Sequence, residues 1–354
     1  MIRPLRHALL SNTTSHGFQY GSLRDLEDEV VRLTGAARIS MPEWRGPAPI
    51  RARLAHGTRY APLRRFVPAQ AGFEVDTDVL WVILMGPEGS SLDLLRAWDG
   101  KVGTRILYLF DTFEEQLPSL RVLLAAARWD YVITAFHGAV PMLERETGRR
   151  WDAVAQGVKL DRFAPVPSAR RVIPISSYGR RVELVHRAID AWSTERGLHY
   201  ETSIAASVQR TIDPRYLYRQ YAWHLRHSQF SVCWPVELTH PSRAGSLSPI
   251  TCRWFESAAA ATPMIGTPPK DAMFAQLFGA DAVIPFDPAP RSSGEVRDAL
   301  DALFRDRDVH LARALALRAE RAGTWTWEAR VREMLELAKL EVPPSEPVAS
   351  TSGV

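Results

Sequence analysis

Short apolar runs alternate with amphipathic segments along most of the chain. In the first half, DVLWVILM (78–85), RILYLFD (105–111), YVITAF (131–136) and WDAVAQG (151–157) have the continuous apolar character of buried strands. Between them, 90–98, 113–127 and 139–147 carry helical spacing. HALLSN followed by a helix over 23–33 opens the series, while 42–62 is poorly patterned and is expected to include a surface loop. Strands separated by helices of this length need crossover connections, so the sheet should be parallel and doubly wound.

The stretch DRFAPVPSARR (161–171) has two prolines and no periodicity, as a linker does. A second alternation follows, with strands at 171–177, 200–207, 230–235, 262–266 and 282–286. Helices are expected at 180–194, 214–226, 249–261 and 269–278, with a polar loop at 236–248. Helical segments over 295–305, 309–322 and 325–340 end the pattern, and the Pro- and Ser-rich tail from 341 to 354 is expected to be disordered. The expected architecture is α/β, with two doubly wound, Rossmann-like domains (1–165 and 166–323) facing a central cleft. A helix over 324–340 crosses back to the first. Ligands of such sheets sit beyond the carboxyl ends of the strands, and here two such edges can face each other.

Composition narrows the function without naming it. Of the 44 basic side chains 40 are arginine, the net charge is only +4 and no basic run of five or more occurs. Nucleic acid is therefore not the expected partner. Cys233 and Cys252 are the only cysteines and form no CxxC pair, so neither a disulfide scaffold nor structural zinc is expected. No stretch approaches the roughly 18 apolar residues of a membrane span, and the expected location is cytoplasmic. His224 and His227 lie three apart on a helix without a third ligand at matching spacing, and the DTD at 76–78 precedes its strand, so no metal is expected. The aromatic residues between Tyr200 and Phe255 read as core.

The chemistry concentrates in HPSRAGSLSPITCRWFESAAAATPMIGTPP (240–269). Ser248 is a good helix cap and Pro249 a good first residue, which would leave the N–H groups of Ile250, Thr251 and Cys252 free at the helix end to bind an anion. Arg253 and Glu256 share a helical face. An arginine there can pair with a diphosphate, and a carboxylate one turn on can accept from ribose hydroxyls.

RWFESAAAATPMIG (253–266) resembles the nucleotide-sugar motif of glycosyltransferase family 4 and its CgeB-like relatives. GVKLDRFAP (157–165) and TWTWEARVREML (324–335) resemble two further segments of that family. The resemblance implies a GT-B fold and transfer of a sugar from a nucleoside diphosphate donor to an unidentified acceptor, without a metal or other cofactor and with retention of configuration. By position, Glu256 matches the residue that holds the donor ribose, and Thr251 and Cys252 the helix start at the diphosphate. Arg253 matches the motif arginine, and Gly179 with Arg180 a second phosphate loop. Ser248 stands where an earlier glutamate is usual, leaving that role to His240, Arg243 or the first domain, and Ala261 replaces the usual glycine. Asp111 and His137, at strand ends of the first domain, are candidate catalytic groups, and Gly17 with Gly21 could let backbone approach the donor. Two alternatives stay open: a sugar-nucleotide epimerase or phosphorylase on the same fold, and a catalytically silent nucleotide-sugar or glycan-binding subunit.

Overall fold

A computed structural model describes residues 5–11, 20–40, 77–87, 102–179, 181–202 and 213–341. The helix expected at 90–98, the loop at 42–62, residues 203–207 of the strand expected at 200–207, the tail beyond 341, Gly17 and Arg180 lie outside these residues.

Two all-parallel sheets carry the chain. The first contains β1 (His7–Ser11), β2 (Ala37–Ser40), β3 (Thr77–Leu84), β4 (Val102–Leu109), β5 (Tyr131–Thr134) and β6 (Asp152–Ala153), in the order β2-β1-β3-β4-β5-β6. The second contains β7 (Ile173–Ser177), β8 (Tyr200–Thr202), β9 (Ser228–Cys233), β10 (Met264–Gly266) and β11 (Val283–Pro285), in the order β11-β10-β9-β7-β8. Both are doubly wound, as expected. In each, the second strand in sequence lies on one side of the first and the third on the other, so the direction of winding reverses between β1 and β3 and again between β7 and β9. Crevices open at such reversal points, beyond the carboxyl ends of the strands.

Apolar strands explain why both sheets are buried on two faces. β3 and β4 are dry over most of their length, with Trp81 and Tyr108 fully enclosed. Sequence reading placed these strands well, but it missed β2, a four-residue edge strand too short to show alternation.

The chain crosses between domains twice, and the crossings pair: the N–H of Val158 donates to Trp325 O at 2.8 Å. The last helix, Trp327–Leu337, packs on α1 (Tyr20–Thr34) and places Trp327, Val331, Met334 and Leu335 in the core of the first domain.

The expected polar loop at 236–248 is instead two short helices, Val236–Thr239 and Pro241–Ala244. Their apolar side chains Val236 and Ala244, with the following Leu247, are buried in the first domain's core although the segment issues from the second sheet. Single turns have no periodicity to read, which is why the pattern looked like a loop. No helix among the described residues is long and apolar enough to cross a membrane.

Candidate functional site

The helix that carries the motif begins at Cys252 and runs to Ala259; Thr251 precedes it in extended conformation (φ −104°, ψ 165°) without a side-chain cap. This corrects the expected start at Pro249. Ser248 cannot cap because its hydroxyl is used elsewhere: it donates to Glu237 and accepts from the N–H of Lys270 at 2.7 Å. Ile250 is therefore not a helix-end donor, and its side chain is buried in the second domain's core. The helix's first turn, at the positive end of its dipole, belongs to Cys252 and Arg253.

Since this helix runs antiparallel to the strands around it, its start lies at the carboxyl edge of the second sheet. Gly179, two residues after β7, is at the same edge and touches it. Its φ is +78°, and a Cβ built there would lie 2.1 Å from Arg253 Nη2. Glycine is required twice over, by backbone conformation and by the guanidinium packed on it. The structure thus brings Gly179 and Arg253 together at the β7/β9 reversal. Arg253 Nη1 is buried with no hydrogen-bond partner among the described residues.

Tyr178 holds the preceding position of that loop. Its hydroxyl donates to Glu201 at 2.9 Å and also meets His224 Nδ1. His224 is therefore engaged in a hydrogen-bonded cluster, while His227 stacks on Trp223 at 4.2 Å between ring centres. Among the described residues no three His, Cys, Asp or Glu side chains gather as metal ligands.

Glu256 is neither an exposed partner of Arg253 nor an open acceptor. It is 3% exposed, and its two oxygens accept from Tyr218 at 2.7 Å and Tyr221 at 2.8 Å. Both tyrosines lie on the helix Pro214–Arg226. Burial raises the Glu256 pKa, opposed by these two hydrogen bonds and by the charge of Arg253. Each oxygen keeps a second acceptor site, but at 3% exposure a ribose hydroxyl would reach it only if the side chains around it moved.

The carboxylate that sequence reading missed is Glu237. It follows β9 by four residues, receives the Ser248 hydroxyl, and keeps its other oxygen, Oε2, buried with no partner among the described residues. Among the described residues, the edge thus includes an unpaired donor on a cationic side chain, Arg253, and an unpaired acceptor on an anionic one, Glu237. Nothing in the spacing of Glu237 announces this, because its register with Ser248 depends on the unforeseen turn of helix at Val236.

The first domain's residues fall differently. Arg243 donates to Asp111 at 3.0 Å, faces Glu115 at 3.4 Å and lies 4.4 Å over the Phe113 ring. Asp111 and Arg243, expected as catalytic groups, form a clasp between domains, and a guanidinium shared by two carboxylates has little charge left for a phosphate. His137 stands at the carboxyl end of β5; burial lowers its pKa, so it is neutral near pH 7, although Asp271 works against the shift. The adjacent Gly138 N–H donates to Asp271 of the second domain at 3.3 Å. His240 is exposed; its ring meets its neighbour Thr239 at 3.1 Å, and its backbone N–H donates to Val236 O at 2.7 Å. Gly21 lies inside α1, against the Tyr218 ring, and serves packing between helices. These cross-domain bonds confirm that the two carboxyl edges face each other.

No protein-family model matches the chain, and no curated protein matches it in sequence. Among solved structures it is similar to AviGT4, a glycosyltransferase involved in avilamycin A biosynthesis, with a TM-score of 0.48 at 13% identity over 95% of this chain and 97% of that one. It is similar to the glycotransferase of kitacinnamycin, with a TM-score of 0.47 at 12% identity over 96% and 100%. The GtfA/B complex gives a TM-score of 0.42 at 12% identity over 80% of this chain, which spans 60% of that one. These are likenesses in the course of the backbone, and the site rests on its own geometry.

Proposed function

We propose that the chain is a glycosyltransferase that takes a sugar from a nucleoside diphosphate donor and gives it to an acceptor in the cleft. The observation that carries this reading is the pair of unpartnered groups at the β7/β9 edge, Arg253 Nη1 and Glu237 Oε2. An orphan donor bearing positive charge calls for an anion, and an orphan carboxylate oxygen calls for a hydroxyl. A sugar diphosphate has both.

In this reading the diphosphate meets the first turn of the helix at Cys252 and the guanidinium of Arg253 over Gly179, while Glu237 accepts from a sugar hydroxyl. Ser248 orients Glu237, so a carboxylate reaches the place where the family resemblance expects a glutamate, but from a different element. Departure of the nucleoside diphosphate concentrates negative charge at Arg253, and fixed donors aimed at developing charge lower the barrier. Each such charge-assisted bond contributes about 1.5–3 kcal/mol. Glu256 acts as a positioning residue, holding Tyr218 and Tyr221 and offsetting the charge of Arg253. A catalytically silent nucleotide-sugar subunit is the second reading, favoured by one observation: Asp111, the first domain's carboxylate at the cleft, is already tied to Arg243.

Calorimetric titration with nucleoside diphosphates and the matching sugar donors tests the proposal. Arg253→Ala should weaken both by roughly ten- to a hundredfold, and lysine should not rescue a fork-shaped contact. Glu237→Gln should weaken only the sugar donor. Slow donor hydrolysis would support the enzyme over the silent subunit, and interconversion of the donor sugar would favour an epimerase. Absence of binding to every nucleotide overturns the reading.

A further inference from the structure

At the opposite end of the second sheet lies a cavity of about 240 Å³, lined in part by Ser168, Arg171, Gln229, Arg307 and Asp308. Arg171 precedes β7 and Gln229 is the second residue of β9, so the cavity sits at the amino edge, away from the site above.

Arg171 is 3% exposed, yet every group it is seen to bond is neutral. Nη1 donates to Ser228 O at 2.8 Å and Thr262 Oγ1 at 3.1 Å, and Nη2 to Ala260 O at 2.9 Å. Its Nε is buried with no hydrogen-bond partner among the described residues. Burial without a counter-ion pushes its pKa down to about 10. A buried charge left without an opposite charge is costly, and carbonyl dipoles offset only part of the loss.

Three further features point to what would supply the missing charge. Arg307 lines the same cavity and opens the 15-residue helix Arg307–Arg321, whose positive end is therefore here. The acid nearby, Asp308, is largely exposed and stands 3.7 Å from Arg307. Gln229 donates through Nε2 to Arg171 O at 3.0 Å, but its Oε1 is buried and has no partner among the described residues, so it lacks a donor. A ligand that fits must carry negative charge for Arg171 and Arg307 and one O–H for Gln229. The volume is below the roughly 300 Å³ at which pockets for drug-sized organic ligands begin.

We propose that this cavity binds a small protonated oxyanion of the orthophosphate class, held by Arg171 and Arg307 with Gln229 accepting the P–O–H. Ser168 belongs to the turn at Ser168–Arg170, so the bound ion would also fasten the interdomain connection to the second sheet.

The test uses the full chain, with phosphate, sulfate and chloride compared at equal ionic strength by thermal shift and titration calorimetry. Phosphate should raise Tm saturably and by more than sulfate, which carries no proton at neutral pH. Arg307→Ala should weaken phosphate binding roughly five- to tenfold while leaving nucleoside diphosphate binding unchanged. Gln229→Leu should remove the preference for phosphate over sulfate. Because loss of Arg171 can impair folding, Arg307 and Gln229 carry the decision. Equal shifts from chloride and phosphate, or an Arg307→Ala protein that binds phosphate like the parent, would overturn the proposal.

Discussion

The two carboxyl edges that face each other across the cleft have the same origin and opposite states. Each lies where a doubly wound parallel sheet reverses direction, and each gathers charged and polar residues from the loops after its strands. In the first domain, two groups at the edge bond to the other domain, Asp111 to Arg243 and Gly138 to Asp271, while Thr112 and Gln156 pair within their own. In the second, Arg253 and Glu237 each keep an atom without a partner among the described residues. Topology alone therefore does not make a site. The first edge also keeps a buried atom without a partner among the described residues, Gln156 Oε1, but it belongs to a neutral amide. What distinguishes the second edge is that its leftover atoms, Arg253 Nη1 and Glu237 Oε2, belong to charged side chains.

The largest effects should come from breaking the support beneath those atoms. Tyr218→Phe would remove the hydroxyl from a buried carboxylate oxygen and should cost about 1.5–3 kcal/mol of stability, read by chemical denaturation. Gly179→Ala should cost about 1–3 kcal/mol for a left-handed alanine, and its Cβ should push Arg253 aside, so nucleotide affinity should fall with stability. If affinity survives Gly179→Ala, the contact between Gly179 and Arg253 does not set the site. Glu256 also gives the stability a pH dependence. Its folded pKa lies above its ordinary 4.5, so the folded state keeps the proton to higher pH than the unfolded state does. The Glu256 contribution to stability should consequently fall as pH rises from 4.5 through the folded value, and Glu256→Gln should remove that part of the slope while the part from Asp25, also raised by burial, stays. Denaturation curves at several pH values check both the slope and its loss.

Much of the fold was legible because its strands are continuous apolar runs, and the motif helix was legible because Arg253 and Glu256 recur at a known spacing. The edge itself was less so. Ser248 reads as a cap until its hydroxyl is seen to serve Glu237, and Glu237 reads as loop until Val236 is seen buried in the other domain. Glu256 could be found but not its setting, since Tyr218 and Tyr221 are 38 and 35 residues away. Ala261, where the family resemblance expects glycine, shows why that position favours it. It stands at φ +46° and closes the helix by its N–H to Ala258 O and that of Thr262 to Ser257 O, both at 3.0 Å. This pair of bonds normally ends on glycine. Ala261→Gly should therefore stabilise the protein by about 1 kcal/mol without changing nucleotide affinity, which would show that the strain at the far end of the helix does not serve nucleotide binding.

The smallest effect should come from the first domain's edge, and it tests the comparison from the other side. Arg243 is 40% exposed, so its bond to Asp111 is worth about 0.2–1 kcal/mol and its place over Phe113 about 0.5–1 kcal/mol. A double-mutant cycle of Arg243→Ala and Asp111→Asn should return a coupling within the first range. Nucleoside diphosphate affinity should barely move, because neither residue belongs to the edge to which the proposal assigns the donor. The fraction of donor hydrolysed per acceptor glycosylated should rise if the clasp helps keep the cleft shut against water. A large loss of nucleotide affinity in Arg243→Ala would instead mean that Arg243 leaves Asp111 to meet the phosphate, and the two edges would then work as one anion site.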